Sequence, residues 1–236
     1  MKKSIRYGFH KIYYDAEKLD INELPPISKE DAKETLFAMQ DLLKTCGIDI
    51  FLTYGTLLGA VREKDFISGD LDVDCYVTSR KAIIKNLPFL EEHGMKLVRA
   101  GQVVLSFRYE KLKGCYIDLY IRKIPFNIWG MYCYQHSKSM CPRKYLQDGE
   151  IEFLGRVFKC PKDPEKTLEH WYGKNWRIPI SKEKMTTWYT VPSHHYYLKY
   201  KNSILECLKI NIQKLIGWYH WRHLVKSEYR NERTSG

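Results

Sequence analysis

Gly55-Thr56-Leu57-Leu58-Gly59-Ala60-Val61-Arg62, followed at once by the segment ending Asp70-Leu71-Asp72-Val73-Asp74-Cys75-Tyr76-Val77, is the stretch on which the architecture of this 236-residue chain turns. The residues before it, Gly47 to Tyr54, are short, β-branched and aromatic, and predict a buried strand. Gly55-Thr56 then reads as a glycine turn into a short helix, and residues 70–77 alternate with period two, as a half-buried strand does. On such a strand Asp70, Asp72 and Asp74 share one face.

Working outward, Ser28-Lys29-Glu30-Asp31 resembles a capping box, and Ala32, Leu36, Met39, Leu42 and Leu43 follow at helical spacing, so a helix is expected over about 28–46. A second amphipathic stretch covers about 79–92. Two strands, 103–109 and 115–122, flank the turn-like Glu110-Lys111-Leu112-Lys113-Gly114 and predict an antiparallel hairpin. Residues 125–150 are aromatic and irregular, and 151–158 looks like one more hairpin. Cys160-Pro161-Lys162-Asp163-Pro164 leads into a short helix ending at Tyr172-Gly173. In the last segment Ile204, Leu208, Ile212, Leu215 and Tyr219 form a helical stripe, with Lys209, Lys214, Arg222 and Lys226 among the other positions. The fold class is therefore α/β: a mixed sheet with flanking helices and a basic, amphipathic C-terminal helix.

Composition removes several functional classes. No run of about 18 uncharged apolar residues is present, so no transmembrane helix is encoded. The basic start Met1-Lys2-Lys3-Ser4-Ile5-Arg6 lacks the apolar run and small-residue cleavage site of a secretory signal. Seven cysteines, an odd and scattered set, fit reduced thiols and a cytoplasmic location. The 39 Lys and Arg against 28 Asp and Glu, a formal charge of +11, favour phosphate-bearing partners: nucleotides, nucleic acid or anionic membrane.

The chemistry lies in the acidic residues. Two carboxylates at i and i+2 of a strand stand about 7 Å apart on one face, too close to ionise comfortably without a cation and well placed to hold one or two Mg²⁺ or Mn²⁺. Asp118 lies in the apolar run Cys115-Tyr116-Ile117-Asp118-Leu119-Tyr120-Ile121, where an unpaired carboxylate is costly to bury. It therefore reads as the third carboxylate of a metal cage or as the partner of a structural arginine. Metal ions so held can polarise a hydroxyl and stabilise a leaving oxyanion in phosphoryl chemistry, and Gly55-Thr56 at a helix start offers N–H donors to phosphate.

Other constellations are weaker. A calcium loop fails, because its sixth position is Cys75 rather than Gly and its twelfth is Lys81 rather than Glu. Cys133, His136 and Cys141, with Cys160 downstream, could be a zinc site but lack paired C-x2-C spacing, and read better as ordinary thiols. His194-His195 point apart on any regular backbone. Trp218, Tyr219 and Trp221 among basic residues suit residues 203–226 either to a membrane interface or to docking on the core.

The run Tyr54-Gly55-Thr56-Leu57-Leu58-Gly59-Ala60-Val61-Arg62-Glu63-Lys64-Asp65-Phe66-Ile67, continuing into Asp70 to Asp74, resembles the LicD family of phosphotransferases and its fukutin-type relatives. Cys115 to Leu119 is similar to the family's second acidic strand. Phe153-Leu154-Gly155 through Pro161, Leu168, Tyr172-Gly173, Trp176 and Pro179 are similar to its C-terminal pattern. Two departures stand out: Ser68-Gly69-Asp70-Leu71 replaces the Pro-Trp and run of aspartates of many members, and Tyr120-Ile121-Arg122 replaces Phe-Pro and a further Asp.

The resemblance implies a nucleotidyltransferase-type fold. It implies transfer of a phospho-alcohol, such as phosphocholine or ribitol phosphate, from a CDP-linked donor to a glycan or lipid-linked glycan acceptor, with CMP released. Asp72, Asp74 and Asp118 would then be catalytic and metal-binding, and Tyr54, Gly55, Thr56 and Arg62 would contact the donor. The organisation it suggests is an N-terminal arm over 1–27, a catalytic domain over 28–199, and a basic helix and tail over 200–236, cytoplasmic or peripheral at the inner face of the membrane. Two other classes stay open: a nucleotidylyltransferase acting on a sugar, RNA end or small molecule, and a non-catalytic nucleic-acid or membrane binding module. No motif for sequence-specific nucleic-acid recognition is present.

Overall fold

The computed structural model describes residues 1–179 apart from 8, 18–23, 102–103, 113–114, 123–131, 137–138 and 143–146, with backbone alone for 7, 10 and 132–142. The C-terminal helix, His194-His195 and the boundary at residue 200 lie outside the described residues, as do the side chains of Cys133, His136 and Cys141. The described residues fall into two compact units, residues 1–122 with 150–160, and a second unit that includes 147–149 and 161–179.

In the first unit the chain opens with an antiparallel hairpin, β1 (Lys2–Tyr7) and β2 (His10–Asp15), where the sequence suggested only an arm. Ile5 and Tyr14 are buried. The chain after β2 is fastened by Glu17, whose N–H donates to the Val98 carbonyl at 3.0 Å and whose carboxylate accepts from Tyr116 Oη at 3.0 Å and pairs with Arg108 at 2.8 Å. Helix α1 (Lys29–Thr45) starts where the capping box placed it: Ser28 Oγ accepts from the Asp31 N–H at 3.2 Å. Ala32, Leu36, Met39 and Leu43, at helical spacing, are its buried face.

The strand expected over 47–54 is reduced to β3 (Phe51–Leu52), because the backbone turns at once: Tyr54 has φ of 41° and is already the first residue of helix α2 (Tyr54–Arg62). Within α2, Gly59 allows a close crossing, since a Cβ there would stand 2.5 Å from the Asp65 carbonyl oxygen. The next strand, β4 (Val73–Val77), begins after Asp72, carries Asp74 and is buried along its whole length, which corrects the half-buried expectation. Period-two patterning here reflects two different covered faces, with α2 packed against the strand. Asp70 reaches the site from the turn after Gly69, not by strand alternation.

The stretch 79–92 is two helices, α3 (Arg80–Lys85) and α4 (Leu87–Glu92), broken at Asn86 because Pro88 cannot continue α3. Then follow β5 (Met95–Ala100), β6 (Val104–Tyr109) and β7 (Tyr116–Ile121), the last two pairing antiparallel as expected. Residues 125–150, read as irregular, contain a short hairpin, β8 (Tyr132–His136) and β9 (Ser139–Pro142). The hairpin expected over 151–158 is β10 (Asp148–Phe153) and β11 (Arg156–Pro161), joined by Leu154 and Gly155, both at positive φ. Helix α5 (Pro164–Tyr172) ends at Gly173, with φ of 85°, as expected.

The main sheet has seven strands in the order β10-β11-β3-β4-β7-β6-β5. β11 with β3 and β4 with β7 are parallel, while β3 with β4, β7 with β6 and β6 with β5 are antiparallel, so the sheet is mixed. A mixed sheet with flanking helices is the class of fold the sequence predicts. Among the described residues no helix is long and apolar enough to cross a membrane.

Phe66, in the loop after α2, is buried with its ring edge-on to Phe153 at 5.2 Å. Phe66→Ala is expected to lower the unfolding free energy by about 3–5 kcal/mol, whereas Val157→Ala, at a site 59% exposed, should stay within about 0.5 kcal/mol of the parent in chemical denaturation.

Candidate active site

The site is built on the central parallel pair. Asp74 on β4 lies directly opposite Asp118 on β7, Ser106 on β6 is opposite Asp118, and Arg99 on β5 is opposite Ser106. Four adjacent strands thus contribute one row, Arg99, Ser106, Asp118 and Asp74. Arg99 joins it through a β-bulge: the register passes from Leu97 opposite Phe107 to Arg99 opposite Ser106, with Val98 as the extra residue. Its guanidinium donates from Nη2 to Asp118 Oδ2 at 2.6 Å and from Nε to Ser106 Oγ at 2.8 Å.

Helix α2 covers the other end of the row. The Gly55 N–H donates to Asp74 Oδ2 at 3.1 Å, a carboxylate held at a helix N-terminus. The Asp74 N–H donates to Thr56 Oγ1 at 2.8 Å, so the threonine hydroxyl fastens α2 to β4. Residue 55 must be glycine for this approach: a Cβ would stand 2.8 Å from Asp70 Oδ2 and 3.3 Å from Asp74 Oδ2. Tyr54 packs edge-on against Tyr120 at 5.1 Å and Tyr76 at 6.3 Å, which holds the left-handed residue in place.

The predicted residues separate accordingly. Asp72, Asp74 and Asp118 come together, with Asp70 beside them, and Tyr54, Gly55 and Thr56 border them. Arg62 does not join: it stands in the last turn of α2, about 10 Å along the helix from Gly55, with Nε donating to Glu63 Oε1 at 2.9 Å. Sequence reading missed Arg99 and Ser106. Ser106 carried a faint signal, a small polar residue between the apolar Leu105 and Phe107, whereas nothing in the sequence marks the bulge that aims Arg99.

The carboxylates strain against one another. Burial, then the charges of Asp118 and Asp70, push Asp72 up to about 8, with Arg99 opposing. Asp74 is raised well above the ordinary carboxylate range by burial first, then by Asp72, Asp70 and Asp118, and the Gly55 N–H works the other way. Burial raises Asp118 too, against the Arg99 charge and hydrogen bonds from Ser106, Arg99 and Tyr120. Such a cluster demands protons or cations. All its donors are hard carboxylate oxygens, which suits Mg²⁺ or Mn²⁺. Among the described residues no three His, Cys, Asp or Glu side chains already stand in a ligating arrangement, and Asp118 is spoken for by Arg99.

A mixed sheet with flanking helices, carrying facing strand aspartates under a helix N-terminus, is a nucleotidyltransferase-like fold. Residues 47–163 match the family described as LicD/FKTN/FKRP, nucleotidyltransferase domain, and through that domain the chain belongs to the LicD family. No curated protein matches the chain significantly. Among solved structures it is similar to the lincomycin-bound lincosamide antibiotic adenylyltransferase LnuA, at 14% identity and a TM-score of 0.45 over 68% of this chain and 94% of that one. It is also similar to the antibiotic-resistance factor ANT(2'')-Ia in solution, at 9% identity and a TM-score of 0.43 over 88% and 100%. The complex of ANT(2'')-Ia with adenylyl-2''-tobramycin gives 11% and 0.41 over 83% and 97%.

The raised Asp72 has a thermodynamic sign. Between its ordinary value of 3.8 and about 8 the folded state binds the extra proton, so this group's contribution to stability is fully present below about 4 and is lost as pH rises through about 8. Asp72→Asn removes that loss. In chelator at pH 8 the variant is expected to melt at least about 2 °C above the parent, the response to ~1 kcal/mol in a chain of this size, with the gap closing toward pH 4. An unchanged or lower melt at pH 8 would contradict the assignment.

Proposed function

We propose that the chain is a metal-dependent phosphotransferase that moves a phospho-alcohol, such as phosphocholine or ribitol phosphate, from a CDP-linked donor to a cell-surface or capsular glycan precursor, releasing CMP. One observation supports this above the rest: Asp74 and Asp118 face each other across the parallel pair with Asp72 alongside, under the N-terminus of α2. Family membership supports transferase chemistry in general.

In this reading Asp72 and Asp74 hold a divalent cation, with Asp118 completing the acidic face. When bound, the cation neutralises phosphate oxygens and stabilises the departing CMP oxyanion. The chain's own residues set the geometry. Gly55 lets the start of α2 approach Asp70 and Asp74 more closely than any side chain would allow, and its N–H orients Asp74. The hydroxyl of Thr56 locks α2 to β4 so that this alignment is preorganised. A carboxylate of raised proton affinity beside the reacting centre is suited to take the proton of the attacking sugar hydroxyl. The oxygen of that hydroxyl bonds to the phosphorus carrying the alcohol, the bond to the bridging oxygen breaks, and CMP carries away the electron pair. A lipid-linked acceptor would bring the protein to the inner face of the membrane, its predicted location.

The test is to incubate the protein and Mg²⁺ with CDP-choline, CDP-ribitol, CDP-glycerol, CTP and ATP plus an acceptor extract, and to resolve released nucleotides by mass. Metal-dependent CMP from one CDP-alcohol is expected, reduced by at least about 10²–10³-fold in Asp72→Asn. Pyrophosphate from CTP or ATP would establish nucleotidyl transfer instead.

A further inference from the structure

The row across the sheet holds one group that the phosphotransferase reading does not use. Arg99 stands three strands from Asp74, on β5, and reaches Asp118 only because the bulge at Val98 sets it opposite Ser106. Its bonds to Ser106 and Asp118 are short and directional, and they serve one end: Nε is anchored on the buried Ser106 hydroxyl, which fixes the guanidinium plane, and Nη2 meets Asp118 Oδ2 at 2.6 Å. Asp118 is buried while the Arg99 side chain is 42% exposed, so the positive charge is brought in from the rim to a carboxylate that cannot reach water itself.

We infer that Arg99 supplies the second positive charge of the acidic centre: its guanidinium stands at Asp118 in place of a second metal ion, and Asp72 and Asp74 hold a single divalent cation. This rests on the metal-dependent reading above. Two features carry it. The ion pair occupies Asp118 Oδ2, on a side chain only 3% exposed. A bulge, the device by which strands re-aim side chains beside active sites, exists at the one place that brings Arg99 into register. Guanidinium suits this position better than ammonium, since its planar fork bonds Ser106 and Asp118 at once. Arg99 acts through Asp118 and is a positioning residue.

The test is a Mn²⁺ titration of the full chain, with free Mn²⁺ read by electron paramagnetic resonance, so that no turnover is needed. The parent is expected to bind one Mn²⁺ per chain, and Asp74→Asn to lose it. The charge-balanced double variant Arg99→Gln/Asp118→Asn should keep that one ion with its affinity within about 3-fold. Arg99→Gln alone, which frees Asp118, should bind a second ion or bind the first at least about 10-fold tighter, and Arg99→Lys should behave as the parent. Two Mn²⁺ per parent chain, or loss of Mn²⁺ in the double variant to the extent seen in Asp74→Asn, overturns the inference and leaves the metal-dependent reading standing. No Mn²⁺ bound by the parent, with Arg99→Gln equally empty, overturns that reading and the inference together. The stoichiometry of the parent decides between one ion and two even where a variant fails to fold.

Discussion

Repulsion among buried carboxylates is the constraint around which the first unit is arranged. Asp74 and Asp118 face each other on adjacent parallel strands, where backbones are only about 4.8 Å apart, and Asp72 and Asp70 add charge at the same end. A fold that sought stability alone would not place four acidic side chains there. The neighbouring structure supplies offsets: an N–H of α2 on Asp74, a hydroxyl and a guanidinium on Asp118, and a glycine at residue 55 that lets the helix approach. Each offset has its own local cost, in the left-handed Tyr54 and in the interrupted ladder at Val98.

This arrangement separates what folds the domain from what the domain does. The core of Leu36, Met39, Phe66, Tyr76, Phe107 and Phe153 is ordinary close packing on a mixed sheet, and the hairpin β1–β2 is tied on through Glu17. The acidic end subtracts from that stability as long as its charges stand uncompensated, the usual relation between a preorganised site and its scaffold. A divalent cation would therefore act on the protein twice, as a catalytic group and as a ligand that stabilises the folded state by mass action.

What was legible in the sequence was local and periodic. Ser28 announced α1 because a cap hydroxyl and an apolar stripe occur together, and Asp118 announced itself by sitting where a carboxylate has no ordinary reason to be. The β6–β7 hairpin followed from two alternating runs and a short turn. The errors share a cause in tertiary geometry. Residues 47–54 carry strand propensity, yet the helix must begin by Tyr54 for Gly55 to reach Asp74. Alternation over 70–77 suggested a solvated face, but α2 covers it. Arg62, placed at the donor by resemblance, stands seven residues along α2 from Gly55, in the helix's last turn. Arg99 was invisible because a bulge is a property of a pair of strands, and its partner across two of them is nineteen residues away.

The claim that the acidic end is a cation centre is tested most directly by diffraction from crystals grown in Mn²⁺, with data collected at the manganese absorption edge. The account predicts one anomalous peak bounded by the carboxylates of Asp72 and Asp74, with Arg99 still on Asp118. Density that shows these carboxylates in contact with one another and no anomalous peak beside them would contradict it.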